Sequence, residues 1–488
     1  MIYNLRSSVA PRYVYHKGIR PALQLMLLTV VFFVFQNCLQ AGLPQPKNII
    51  LLIGDGMGYN HIRCLDFYQG IEKQPFEEFP VRLFMATCPV KAGSYSEDNH
   101  ATNRFAPAYN TLLAWSDTVY LKKQVTESAA AATALATGFK TYNNAIGMSV
   151  NHDTLSNMTE WAKQTGRSAG VVTSVPFSHA TPAGFTAHNK TRVNYSEIAY
   201  QQLLSSRCDV IMGCGNPMFD DNGKAITGPW KKCKNVGDSA FWQQILQGSG
   251  KQVTFTVKGK QRTVADCNGD GKADAWTMIT TEEDFRKMSD GPTPLRVLGC
   301  PEVSPTLQQS RKSANNETRN SPPWTTPLNQ SVPSLATMTA AALNVLDNNP
   351  QGLFLMVEGG AIDWACHDNH KGRLIEELTG FAEAVNTVID WVEKNSNWEE
   401  TLVIVTGDHE TGLLWGGNPF TPVTSNGKGN LPSMQFNATD HSNSLIPFYA
   451  KGTGSDLYQY FADEYDTIRG PYIQNSEVAQ LIRFMFLK

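Results

Sequence analysis

The sequence predicts an α/β fold: a large, mostly parallel central β-sheet flanked by helices on both faces. Two observations carry this expectation. Residues 48–53 (NIILLI), 168–173 (SAGVVT), 352–357 (GLFLMV) and 401–406 (TLVIVT) are short apolar runs bounded by glycine or polar residues, the pattern of strands buried on both faces. Between them lie helical patterns, the clearest placing Leu374, Leu378, Phe381, Val385, Val388 and Val392 at spacings of four and three, which makes a core-facing stripe. Strands alternating with helices pair in parallel, and such sheets bind ligands at the carboxyl ends of their strands.

Composition fits one large packed protein. Of 488 residues 41% are hydrophobic, while 38 Gly and 26 Pro follow no repeat, so a disordered or fibrous chain is excluded. The 41 Lys+Arg against 44 Asp+Glu give a net charge of -3, which argues against a nucleic-acid-binding surface. After about Gly213 the composition changes. Residues 214–334 include charged and glycine-rich segments, then a polar tract from 301 to 333 with six prolines. They read as an insertion within a single domain spanning 42–488.

The first 20 residues carry Arg6, Arg12, Lys17 and Arg20 with no acid, and an apolar run follows at 25–35. Eleven residues are too few to span a bilayer, so residues 1–41 are expected to be a signal peptide. The protein is then exported, to the periplasm or the extracellular space, with lipoprotein anchoring at Cys38 as a variant. Nine cysteines without a CxxC spacing make a cysteine zinc site improbable.

Three of the four predicted strands run into an acid: Asp55 in GDGMG, Glu358 in VEGG and Asp408 in TGDHETG. One such acid is an ordinary turn residue. Three together, at the end of the sheet where ligands gather, suggest a metal. Asp363 and His367 stand four apart, on one face of a helical turn, and Asp408 and His409 are adjacent. Carboxylate oxygen with imidazole nitrogen suits zinc. Ser128 precedes an alanine-rich helical run in VTESAAAATALATG. Taken alone it is a good N-cap; beside a metal, its hydroxyl at a helix N-terminus is instead a candidate nucleophile facing an anion site.

The ordered motifs GDGMG, VTESAAAATALATG, HATPAGFTAHNKTR, VEGGAIDWACH, TGDHETG and DHSNSLIPFYAKG resemble the alkaline phosphatases over residues 47–213 and 335–488. The resemblance implies a metal-dependent phosphomonoesterase with Ser128 as nucleophile and Arg192 as a bidentate phosphate clamp. It implies one zinc on Asp363, His367 and His441, a second on Asp55, Asp408 and His409 with Ser128, and a magnesium on Asp55, Thr181 and Glu358. Its partners would be small phosphomonoesters and inorganic phosphate, with a broad range of leaving groups and a role in phosphate scavenging. A homodimer is common in the family.

Three positions depart from the usual family pattern. Glu127 stands where Asp is usual, and its extra methylene bears on how Arg192 is held. His179 stands where some members carry Asp, and Trp364 where others carry Lys or His. The His and Trp pair resembles a bacterial subgroup with cold-adapted members, and an imidazole at that corner suits zinc or cobalt better than magnesium. In the insertion, Asp266, Asn268, Asp270, Lys272 and Asp274 follow the spacing of a calcium loop, with Thr277 in place of the final Glu. Two alternatives stand beside the phosphatase: a phosphodiesterase or sulfatase of the same superfamily, and a non-catalytic calcium-stabilised binding protein.

Overall fold

Eleven strands form one sheet in the computed structural model, which describes residues 44–90, 109–228, 230, 233–313 and 316–487. The expected signal peptide, with Cys38, lies outside them. In chain order the strands are β1 (Asn48–Gly54), β2 (Val81–Ala86), β3 (Ser168–Pro176), β4 (Val210–Cys214), β5 (Thr277–Ile279), β6 (Val297–Gly299), β7 (Leu353–Gly359), β8 (Thr401–Gly407), β9 (Ile446–Gly452), β10 (Glu464–Asp466) and β11 (Gly470–Gln474). Across the sheet they run β10-β11-β2-β9-β8-β1-β7-β3-β4-β6-β5. From β8 to β5 every pairing is parallel; β9 runs antiparallel between β8 and β2.

Alternation along the central strands builds two cores. Ile49, Leu51 and Ile53 of β1 join Phe354, Met356, Leu402 and Ile404 on one face, while Ile50 and Leu52 join Leu355, Val357, Val403 and Val405 on the other. Both faces are covered, as a parallel centre requires. The second core receives the predicted helical stripe: α7 (Lys371–Asn395) buries Leu374, Leu378, Phe381, Val385, Val388 and Val392. Its N-terminus is capped by His370, whose Nδ1 accepts from the Arg373 amide at 3.2 Å.

The segment 214–334, expected to be an insertion, contributes strands to the same sheet. Its strands β5 and β6 extend the parallel edge beyond β4, and residues 45–488 form one compact unit. Its polar tract is fastened to α7 by buried charges. Arg311 Nη2 donates to Glu376 Oε2 at 2.7 Å with both side chains almost wholly buried, and Arg373 Nη2 donates to Glu317 Oε2 at 2.9 Å. The eight described cysteines, at 64, 88, 208, 214, 233, 267, 300 and 366, are unpaired thiols. No described helix is long and apolar enough to cross a membrane.

Candidate active site

Strand register brings the three predicted acids together. β1 lies between β7 and β8, with Gly54 level with both Gly359 and Gly407 and Ile53 level with Glu358, so Asp55 and Asp408 form a row at the carboxyl edge of the sheet, with Glu358 behind it on the neighbouring strand. The chain then turns sharply at Gly56, which has φ +75; a Cβ there would lie 3.0 Å from the Asp363 Cα. That close approach seats α6 (Ala361–His367) against the row.

α6 places Asp363 and His367 on one face, as their spacing predicts, with His367 Nε2 3.2 Å from Asp363 Oδ2. His441, in the two-residue strand His441–Ser442 that pairs with Glu410–Thr411, reaches the same carboxylate, 3.5 Å from Oδ1. Both rings have their other nitrogen on a backbone carbonyl: His367 Nδ1 donates to Thr439 O at 2.6 Å and His441 Nδ1 to Thr126 O at 2.8 Å. Each Nε2 therefore points its lone pair inward, and the two stand 3.2 Å apart. Such groups could hold a cation between them. Where a proton takes that place, burial opposes it but the Asp363 hydrogen bond and charge push His367 up to about 9.

His409 is set in the same way. Thr411 Oγ1 donates to Asp363 Oδ1 at 2.6 Å, so it accepts from His409 Nδ1 at 3.2 Å. The His409 Nε2 lone pair is left facing Asp408 Oδ2 at 3.3 Å, Asp55 Oδ1 at 3.5 Å and Ser128 Oγ at 3.4 Å. Burial, then the neighbouring His441, keeps this ring well below the ordinary histidine range and hence neutral. Among the described residues, two sets of ligand atoms fall within 4.8 Å of one another: Asp363, His367 and His441, and Asp55, Asp363 and His409. Asp363 thus lies between both.

The acids fit cations. Asp55 Oδ1, Asp408 Oδ2, Glu358 Oε1 and Thr181 Oγ1 are buried without a hydrogen-bond partner, a costly state for oxygens unless a metal takes them up. Burial, then the charges of Asp408, Asp363 and Glu358, raises Asp55 well above its ordinary value. Burial pushes Asp408 and Glu358 up to about 7. Thr173 also donates to Glu358 through a short hydrogen bond and orients its other oxygen.

Ser128 opens α2 (Ser128–Thr137) but does not cap it. The cap is Glu127, whose carboxylate accepts from the Ala129 and Ala130 amides at 3.1 and 2.8 Å. This corrects the N-cap reading of Ser128 and leaves its hydroxyl free for His409. The Glu127 carboxylate also takes Arg192 Nη1 at 2.5 Å and the Asn144 amide at 2.7 Å; burial opposes its ionisation, but Arg192 and the Asn144 and Ala130 amides hold it below the usual range. The longer arm of Glu127 therefore serves both the helix and the clamp. Arg192, Ser128, His179 and Trp364 line a cavity of about 280 Å³ together with the His367 and His441 site.

The family model for alkaline phosphatases matches residues 46–467. The chain belongs to the alkaline phosphatase family. It is 32% identical to alkaline phosphatase 4 of Bacillus subtilis over 377 residues, which cover 75% of this chain and 62% of that protein. The match to alkaline phosphatase of Escherichia coli K12 is 30% over 396 residues, covering 74% of this chain and 70% of that one. The chain thus spans less than two thirds of the Bacillus relative. Its fold is similar to that of a cold-active alkaline phosphatase from the psychrophile Shewanella sp., with TM-score 0.60 at 22% identity over 90% of this chain and 100% of that one. The alkaline phosphatase of the Antarctic bacterium TAB5 gives 0.57 at 23% identity, covering 91% of this chain and 99% of that one.

Within this alkaline phosphatase framework, the site residues expected from sequence converge, and some take altered roles. His179 belongs to neither ligand set; its Nδ1 accepts from Arg192 Nη2 at 3.4 Å, and burial, then Arg192, pushes it down to about 3. It braces the guanidinium as a neutral ring. Thr411, Thr173 and the Thr126 and Thr439 carbonyls, which orient the ligands, were not expected. Thr411 stands inside TGDHETG, so its motif position is the signal that could have found it. The calcium-spaced loop lies away from this site and turns its oxygens to its own backbone: Asp266 accepts from the Gly269 and Gly271 amides, Asn268 from Asp270, Asp270 from Lys272, and Asp274 from Cys267.

Proposed function

We propose that this protein is a metal-dependent phosphomonoesterase working through a phosphoserine on Ser128, with two zinc ions and one magnesium as resident cofactors. The observation that supports this reading best is the division of labour between neighbours: Glu127 caps α2, and the freed Ser128 hydroxyl stands 3.4 Å from His409 Nε2. One zinc would be held by Asp363, His367 and His441, the other by Asp55, Asp408 and His409, and magnesium by Asp55, Thr181 and Glu358. Bound there, the ions supply Lewis acidity toward phosphate oxygens and lower the pKa of adjacent hydroxyl groups.

The chain's own residues do the rest. Arg192, held through one Nη by Glu127 and the other by His179, keeps further N–H donors for two phosphate oxygens. Ser128 Oγ gives up its proton to solvent and attacks phosphorus in line, and the bond from phosphorus to the leaving oxygen breaks. The alcohol departs with a proton from solvent. A water then attacks the phosphoserine, the Oγ–P bond breaks, Ser128 regains its proton and inorganic phosphate leaves. Trp364 is half-buried and Asp368 exposed at the mouth, which supports a broad range of leaving groups. Export is part of the proposal and rests on the basic then apolar segment at 6–35. A comparison of 4-nitrophenyl phosphate with bis(4-nitrophenyl) phosphate tests the reading. The monoester is expected to be turned over faster, with loss on chelation and recovery with zinc; a faster diester would overturn it.

A further inference from the structure

From Trp364 and His179, which line the cavity, a row of rings continues to Tyr195 and ends in a cation. Trp364 meets His179 edge-on with centroids 5.6 Å apart, and His179 stacks on Tyr195 at 6.0 Å with 20° between planes. The Lys234 Nζ lies 4.4 Å from the Tyr195 ring centroid. Tyr195 opens α4 (Tyr195–Tyr200), and Lys234 opens the short helical turn Lys234–Val236 of the insertion. Two chain segments far apart in sequence are thus brought to one rim.

Lys234 is exposed, and among the described residues no carboxylate pairs with it. Its backbone is nevertheless fixed. Val236 is fully buried, and Gly237, at φ +96, packs so closely that a Cβ would come within 2.6 Å of the Tyr200 ring. Its charge reaches the site, adding to burial and Arg192 in keeping His179 unprotonated. The cavity also holds an acid: Asp368 lines it and accepts from Gln309 Nε2 at 2.8 Å. A positive charge thus lies beyond the His179 and Tyr195 rings, and a negative one, Asp368, just past the helix that bears Asp363 and His367.

We propose that Lys234 is a specificity-determining residue, favouring phosphomonoesters whose leaving group carries a second anionic group, carboxylate or phosphate. This rests on the phosphomonoesterase reading. With the reacting phosphate on Arg192, such a leaving group lies along the His179 and Tyr195 rings, its second anion toward the ammonium. The interaction is exposed and hence screened by salt, with a Debye length of about 8 Å at physiological ionic strength.

The test pairs 4-carboxyphenyl phosphate with its neutral amide, 4-carbamoylphenyl phosphate, on the zinc- and magnesium-loaded full chain. Lys234→Met is expected to lower kcat/KM for the carboxylate about two- to fivefold, the size of an exposed ion pair. The loss should fall on KM, shrink in high salt and be restored by Lys234→Arg, while the amide changes little. Equal losses on both substrates, or none on the carboxylate, would overturn the role of Lys234. Failure of the wild-type protein to hydrolyse either substrate would instead overturn the phosphomonoesterase reading itself.

Discussion

The Nε2 atoms of His367 and His441 face each other at 3.2 Å with their Nδ1 protons committed to the Thr439 and Thr126 carbonyls. Two aligned lone pairs beside the Asp363 carboxylate form a cation site fixed by backbone. His441→Ala should therefore abolish one of the metal equivalents retained after desalting, read by elemental analysis. Retention of the full complement would contradict the assignment.

Thr411 fixes His409 by accepting from Nδ1 while donating to Asp363. Thr411→Val removes both bonds at almost constant volume. It should weaken zinc binding about 10- to 100-fold, the usual cost of losing a group that orients a ligand. Competition with a zinc-buffering chelator reads this directly, and an unchanged affinity would refute the role.

Glu127 both caps α2 and holds Arg192. Glu127→Ala should cost about 1 kcal/mol of stability from the lost cap and, separately, raise the inhibition constant of inorganic phosphate about tenfold by releasing a charge-assisted clamp. Glu127→Asp tests the arm length, since the shorter side chain cannot meet the two amides and Arg192 equally well. Phosphate binding to the Ala variant as tight as to wild type would rule out the clamp.

Burial raises Asp408 and Glu358 to about 7. Carboxyls raised in the folded state stabilise it while protonated, and that contribution is lost as pH climbs from their ordinary range through about 7. Metal-free protein should accordingly lose thermal stability between about pH 5 and pH 8. Zinc needs the ionised ligands, so the rise in Tm it produces should grow over the same window. A metal-free Tm that increased with pH there would contradict these protonation states.

Arg311 and Glu376 form a buried pair joining the polar tract to α7. Arg311→Met leaves Glu376 without its charge partner and should cost about 3–5 kcal/mol in denaturant unfolding, the usual cost of breaking a buried pair. A loss below about 1 kcal/mol, the range of exposed pairs, would show the tract to be a loose appendage.

The central strands were legible because burial on both faces leaves unbroken apolar runs: the expected 48–53 and 401–406 became Asn48–Gly54 and Thr401–Gly407. Among the candidate ligands, Asp55, Glu358, Asp408 and His409 were legible because they end strands, and Asp363 and His367 because of their helical spacing; His441 and Thr181 came only from the family resemblance. Strands β5 and β6 were not, since three residues carry no periodicity and their pairing is set by β4. Glu127 was missed as the cap because Glu is a poor cap by propensity, and Arg192, 65 positions away, is what fixes its carboxylate there. Tyr195 and Lys234 belong to no motif and meet only in the fold.

Intact-mass analysis of the zinc-loaded protein, quenched in acid with a phosphomonoester and with inorganic phosphate, tests the central claim most directly. The account predicts a covalent phosphate adduct on the peptide containing Ser128, and none with Ser128→Ala. An adduct on another residue, or full turnover by the Ser128→Ala protein, would contradict it.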